Sequence, residues 1–258
     1  MKIAVSGKGG AGKTTLAGVM ARLLAEQGKK VLAIDADPDA NLASALGFPR
    51  ELAAEIVPLA DLKELIRERT GAKPGYGSIF KMNPDVDDIP DKYSRTYNDI
   101  RLLLMGGIQT GGSGCLCPES VVLKRVMEDV LIYRDDAVVM DMEAGLEHLG
   151  RATAQSVETL IVVVEPGQRS VGTAEAVKRL AVDIGLKSVK VVANKVQSDE
   201  DTRFIESAFG ADELLGAISY DPKILEADRS GVSPLDNDGE QLREEVGRIL
   251  DALGGAGG

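Results

Sequence analysis

Two short runs of this sequence carry residue types and spacings that can do chemistry. The first is Gly7-x-x-x-x-Gly12-Lys13-Thr14, the pattern of a phosphate-binding loop. Glycines at this spacing let backbone N–H groups curl around phosphate oxygens, and a helix N-terminus adds positive potential. Gly9, Gly10, Ala11, Gly12, Lys13, Thr14 and Thr15 then form the nucleotide cradle. Lys13 serves the β- and γ-phosphates and the Thr14 hydroxyl serves Mg²⁺. A glycine turn without a ligand is the bland alternative. Context argues against it, because the loop leaves a strand pattern and opens a helix pattern. The second run is Cys115-Leu116-Cys117, with Gly111-Gly112-Ser113-Gly114 before it and Pro118 after it. Pro118 reads as the first residue of a helix carrying Val122, Val126 and Val130. Sulfurs at a helix N-terminus favour thiolate, the metal-binding form. Two thiolates fill half of a four-coordinate soft-metal site. A twofold dimer supplies four. Two structural cysteines are the competing reading.

The elements that must hold these residues follow from periodicity. Apolar runs that read as strands are Lys2–Ser6, Val31–Asp35, Ile100–Met105, Ala137–Asp141, Thr159–Glu165, Val189–Asn194 and Leu214–Ser219. Several are apolar throughout, as in a parallel sheet covered on both faces. Helical patterns separate them. Leu16, Val19, Met20, Leu23 and Leu24 make one helix that Gly28 stops,. Leu242, Val246, Ile249, Leu250 and Leu253 make the last one, about Glu240 to Leu253, before a Gly-rich tail expected to fray,. The expectation is a doubly wound α/β P-loop fold, one domain over residues 1–258. Residues 50–99 interrupt the alternation. A helix bearing Leu59, Leu62, Leu65 and Ile66 should end at Gly71, followed by a Gly/Pro/Asp-rich stretch. This excursion is either a partner-docking surface or a plain surface insertion.

Composition narrows the partners. Lys plus Arg number 30 and Asp plus Glu 41, for a formal net charge of −11. That balance disfavours nucleic acid and anionic membranes. Trp is absent, so a base-stacking platform is not expected,. Two cysteines fit a reducing cytoplasm,. No signal peptide is read at the N-terminus and no apolar run reaches the ~20 residues that span a bilayer.

Lys8 lies too early in the loop for the usual lysine role. Here the sequence resembles the deviant Walker A class that includes MinD, ParA and the nitrogenase iron protein. The resemblance implies that Lys8 reaches across a face-to-face, ATP-dependent homodimer to the partner's nucleotide; a solvated loop lysine is the alternative. In Asp35-Ala36-Asp37-Pro38-Asp39, Asp37 looks like the switch I aspartate that orients the attacking water, and Asp39 like a loop charge,. Asp141 resembles the Walker B aspartate, holding Mg²⁺ directly or through water, with Glu143-Ala144-Gly145 in switch II. Asn194-Lys195 looks like the adenine-recognition pair. Tyr220-Asp221-Pro222 is a further candidate for the base.

The deviant loop, Gly114-Cys115-Leu116-Cys117-Pro118-Glu119 and Asp141-Met142-Glu143-Ala144-Gly145-Leu146-Glu147-His148-Leu149-Gly150 together resemble the nickel-insertion accessory ATPases of carbon monoxide dehydrogenase maturation (the CooC type). The similar accessory ATPase of acetyl-CoA synthase is not separable from them. The likeness runs along essentially the whole chain; Ala11 departs from the Val of many relatives. It implies ATP hydrolysis coupled to delivery of Ni²⁺ into a nickel–iron–sulfur client. Zn²⁺ suits the same thiolates. His148, the only histidine, is a conceivable further ligand, though a lone His more often has a structural role. Two other function classes stay open. One is an iron–sulfur carrier or reductase, since four dimer thiolates also hold a cubane cluster. The other is a positioning ATPase, against which the acidic charge and the cysteine pair argue.

Overall fold

The computed structural model describes residues 1–73, 79–107, 117–146 and 149–255. Eight strands form one sheet: β1 (Lys2–Gly7), β2 (Val31–Asp35), β3 (Arg95–Tyr97), β4 (Ile100–Leu104), β5 (Ala137–Asp141), β6 (Thr159–Val164), β7 (Val189–Val196) and β8 (Leu214–Ser219). Their order is β3-β4-β2-β5-β1-β6-β7-β8. All neighbours pair in parallel except β3 with β4. The chain therefore reverses direction across the sheet between β5, β1 and β6, which opens a crevice at the C-terminal strand ends where ligands bind in such folds.

All seven strands expected from apolar runs are present. β3 was not expected. Asn98 and Asp99, both at positive φ (48° and 60°), join it to β4 in a two-residue turn of the kind that matches hairpin twist. The edge thus carries one short antiparallel strand, charged and polar, as edges tend to be.

Alternation sorts the strand side chains into two cores. Ile3, Val5, Val31, Ala33 and Val139 face α1 (Lys13–Glu26), α2 (Leu42–Leu46) and α11 (Glu240–Gly255). Ala4, Leu32, Ile34, Val138 and Met140 face the opposite side. There they meet α4 (Lys63–Thr70), α6 (Pro118–Glu128), α8 (Gln168–Ile184) and α9 (Asp199–Phe209). Each large side chain so buried stabilises the fold by about 1.5–3 kcal/mol. Helix α6 begins at Pro118 as expected, and continues as a π-helical turn, Asp129–Tyr133, that buries Val130. Helix α11 runs on through the glycines that were expected to fray, as far as Gly255.

Residues 50–99 are more structured than their composition suggested. They contain α3 (Arg50–Ala54), α4 and α5 (Ile89–Tyr93) besides β3. The single amphipathic helix expected there is split. Leu59–Asp61 form a 3₁₀ turn and α4 starts only at Lys63. The cause is an anchor: the Ala60 N–H donates to the Met105 carbonyl just after β4 (3.0 Å), which holds the turn against the sheet. Gly71, at φ 69°, ends α4 as expected,. Leu59, Ala60, Leu65, Ile66, Val86 and Ile89 are all buried in the core. No helix among the described residues is long and apolar enough to cross a membrane.

Candidate active site

The phosphate loop is the turn between β1 and α1, and its glycines are there for space. A Cβ on Gly7 (φ 144°) would stand 2.5 Å from the Val163 carbonyl oxygen on β6. A Cβ on Gly12 (φ 95°) would stand 2.1 Å from the Asn194 side-chain nitrogen on β7. The loop is therefore seated directly on the neighbouring strands. Lys13, in the first turn of α1, is 8% exposed. Its side chain makes no hydrogen bond or ion pair with a described residue. A lysine this deeply buried is rarely left without an ion pair of its own. The arrangement suits an anion supplied from outside. Lys8 is half-buried, and its side chain likewise has no polar partner among the described residues.

Across the loop stand two carboxylates. β2 and β5 place Asp35 and Asp141 in register as nearest neighbours at their C-terminal ends. Both are fully buried. The Thr14 hydroxyl donates to Asp141 Oδ2 (2.6 Å). Asp141 Oδ1 is buried without a hydrogen-bond partner. Burial pushes the Asp141 carboxyl up to about 7; the Thr14 bond opposes that rise and the nearby Asp35 charge adds to it. A hydroxyl and an orphaned carboxylate oxygen, side by side beneath a phosphate loop, fit a hard divalent cation. Thr14 and Asp141 would hold Mg²⁺, directly or through water. The ion would shield phosphate charge during transfer.

Asp35 plays a part the sequence did not reveal. Its Oδ1 accepts the Asp37 N–H (3.2 Å) and its Oδ2 the Leu42 N–H (2.9 Å). It thereby ties both ends of the loop that carries Asp37 to the sheet. Burial raises its carboxyl to about 6, against the pull of those N–H donors. The available signal was a charge ending a strand whose every residue is buried. Asp37 itself lies in this loop, its Oδ1 accepting the Asp39 N–H (3.0 Å). Asp39 is exposed.

A cavity of about 280 Å³ runs from Gly10, Gly12, Lys13, Thr14 and Thr15 to Asn194, Lys195, Tyr220 and Asp221. Ile224 and Leu225 of α10 (Pro222–Ser230) line its far wall. Asn194 and Lys195 thus sit beside the loop at the expected edge. Their existing bonds are to the protein. Asn194 Nδ2 donates to the Ala11 carbonyl (2.6 Å), and its Oδ1 accepts the Lys195 N–H (2.9 Å). The Lys195 ammonium donates to the Gly10 carbonyl (2.7 Å) and to Glu165 (2.6 Å). Glu165 was not anticipated beyond its place at the end of a strand.

Cys117, the described member of the cysteine run, lies at the start of α6. Strand β4 leaves the sheet through Met105, Gly106 and Gly107. A Cβ on Gly107 would stand 3.2 Å from Pro38, so this exit packs directly against the Asp37 loop. Cys117 caps α6, its sulfur accepting the Ser120 N–H (3.4 Å), while Ser120 Oγ donates to the Cys117 carbonyl (3.0 Å). Cys117 is partly exposed. Cys115 and His148 lie outside the described residues. Among the described residues no three His, Cys, Asp or Glu side chains gather to hold a metal. Glu143, after β5, offers its carbonyl to Ser6 Oγ (2.6 Å).

Residues 2–235 match the model of the CobQ/CobB/MinD/ParA nucleotide-binding domain. The chain belongs to that family. It is an ATPase of the deviant Walker A class. Within the family it is of the CooC type. It is 47% identical over 236 residues to the carbon monoxide dehydrogenase accessory protein CooC of Rhodospirillum rubrum, covering 92% of this chain and 90% of that one. It is 43% identical over 248 residues to an uncharacterized ATP-binding protein of Methanocaldococcus jannaschii, covering 95% and 94%. Among solved structures, the septum site-determining protein MinD of Pyrococcus horikoshii in complex with Mg-ADP superposes with a TM-score of 0.67 at 22% identity, over 99% of this chain and 98% of that one. This last likeness speaks for the fold.

Proposed function

We propose that this ATPase is a metallochaperone, a homodimer that assembles with ATP and metal and delivers nickel to the active-site cluster of carbon monoxide dehydrogenase or acetyl-CoA synthase. The observation that carries the proposal is Cys117 at the first turn of α6, two residues after Cys115. The exit of β4 at Gly107 packs on Pro38, beside Asp37. The kinship to a carbon monoxide dehydrogenase accessory protein supports that client. In this reading Cys115 and Cys117 of two chains hold one soft divalent ion with four thiolates; Ni²⁺ is the cargo and Zn²⁺ competes.

The nucleotide half of the mechanism uses the groups described above. Lys13 neutralises phosphate, Thr14 and Asp141 hold Mg²⁺, and Asp37 orients the attacking water. Lys8 reaches the partner's nucleotide across the dimer, and Asn194 and Lys195 border the adenine. Positioning and electrostatics dominate phosphoryl transfer, so few groups suffice. ATP and metal both favour the dimer, so each tightens the other's binding. Hydrolysis loosens the dimer, splits the four-sulfur site and frees the ion in a reducing cytoplasm.

Titration with Ni²⁺, followed by native mass measurement with and without ATP, tests this. One ion per dimer is expected, lost when Cys115 and Cys117 are both replaced by Ser. One tight ion per monomer, or full binding by the double Ser variant, would overturn it. The same cysteines favour one rival, an iron–sulfur carrier. A cluster would colour the protein brown with visible absorption, and the nickel form would not show that spectrum.

A further inference from the structure

Lys195 is one of four described non-glycine residues held at positive φ (59°). Such a backbone is strained for a side-chain-bearing residue and persists only where the surroundings demand it. The strain here aims the ammonium at two acceptors on different elements, Glu165 at the end of β6 and the Gly10 carbonyl in the phosphate loop. The adjoining Asn194 holds the next carbonyl along, that of Ala11. Two consecutive peptide oxygens of the loop are thus pulled toward β7 by two consecutive side chains.

A planar trans peptide directs its N–H opposite to its carbonyl. Tying the Ala11 oxygen to Asn194 therefore turns the Gly12 N–H away from β7. Fixing the Gly10 oxygen does the same for the peptide before it, whose Ala11 N–H donates to the Lys8 carbonyl (3.1 Å). Gly10 stands at φ 79°, and a glycine offers little steric resistance to a peptide flip. A flipped Gly10–Ala11 peptide would break the Ala11–Lys8 bond that closes the loop, and so disturb the loop shape on which its phosphate-facing donors depend.

We propose that Glu165 and Lys195 form a clamp that locks the Gly10–Ala11 peptide and so sets the phosphate loop for its anion. Lys195 is a positioning residue that acts through the loop backbone. Glu165 holds the ammonium in place and neutralises it. The inference rests on the nucleotide site alone and does not depend on what metal or client the protein serves.

The deciding probe is a ligand without a base. Affinities for ATP and for inorganic tripolyphosphate, each with Mg²⁺, are measured on the parent, Lys195→Ala, Lys195→Gly and Glu165→Ala. Lys195→Gly keeps the positive φ without strain, so it reports on the clamp even if Lys195→Ala folds poorly. Both ligands should weaken by the same factor, about tenfold for one charge-assisted hydrogen bond. Glu165→Ala should cost less, and adding it to Lys195→Gly should change nothing further, because the clamp is already open. If Lys195→Gly binds tripolyphosphate like the parent, the inference fails. Weakening confined to ATP would make Lys195 a base contact. An additive loss in the double variant would separate Glu165 from the clamp.

Discussion

Two charged clusters sit at opposite ends of the parallel strands, and they are built on opposite rules. At the N-terminal ends, Arg101 bonds Asp91 and Asp136, and Arg134 bonds Asp91 and Asp129. Its carboxylates hold the Arg134 guanidinium charged well above its ordinary range, despite the opposing effect of burial. Both cations there are paired. At the C-terminal ends, the largely buried Lys13 makes no hydrogen bond or ion pair with a described residue, and Asp141 Oδ1 is orphaned. A cavity of about 550 Å³ borders the first cluster, larger than the one of about 280 Å³ at the second. Size therefore does not mark the active end. A carboxylate oxygen without a donor, beside a lysine without an ion pair at a glycine-rich loop, does, since a ligand can complete both.

The sharpest way to break this contrast is Lys13→Ala. Turnover should fall by about a thousandfold or more, because a cation aimed at transferring phosphate is lost. The folded state should lose little, because Lys13 makes no hydrogen bond or ion pair with a described residue and acts on Asp141 only through its charge. Steady-state ATPase assays with thermal melts check both, and a variant that hydrolyses ATP at the parent rate would dissolve the assignment. Asp37→Asn should come next. ATP affinity should hold while kcat drops about a hundredfold, since water orientation matters only in the transition state. Parent-like turnover would reduce Asp37 to a loop acid.

The two buried carboxyls give the contrast a pH signature. Asp35 and Asp141 titrate at about 6 and about 7 in the folded, metal-free protein, above the ordinary value of 3.8. The folded state then binds more protons than the unfolded chain between pH 4 and 7. Stability should therefore fall as pH rises through that window, by on the order of a few kcal/mol. Asp141→Asn should flatten the fall, and Mg-ATP should oppose it in the parent, because the ion favours the carboxylate. Melting temperature against pH measures this. A profile identical in the parent and Asp141→Asn would refute it.

The smallest effect on activity belongs to the paired end. Arg134→Ala should leave ATPase turnover unchanged. It should cost about 1–3 kcal/mol by stranding Asp129 and leaving Asp91 to Arg101 alone, which lowers the melting temperature by about 2–4 °C per kcal/mol in a chain this long. Lost turnover at unchanged stability would mean the paired cluster reaches the active end.

How much was legible beforehand differed by element. Strands such as Leu160–Val164 announce themselves, because a run apolar on both faces fits only a sheet covered on both sides,. The phosphate loop was equally legible, because its glycines answer local demands for space and positive φ. The hairpin at Asn98-Asp99 carried a turn signal, but β3 is too short to show a period. The split before α4 was illegible, since the Ala60–Met105 bond joins residues far apart in the chain.

The sequence by itself therefore determined what each segment can be: seven strands, a helix after the glycine loop, a cysteine at a helix start. These rest on period, capping and backbone freedom, which act over a few residues. Only the tertiary structure decided what the charges do. Registering β2 against β5 put Asp35 beside Asp141, and burial at that place raised both carboxyls. Seating β7 against the loop gave Asn194 and Lys195 the backbone oxygens of Ala11 and Gly10 as acceptors. Burial and long-range pairing set the value of a charge, and neither is a property of neighbours in sequence.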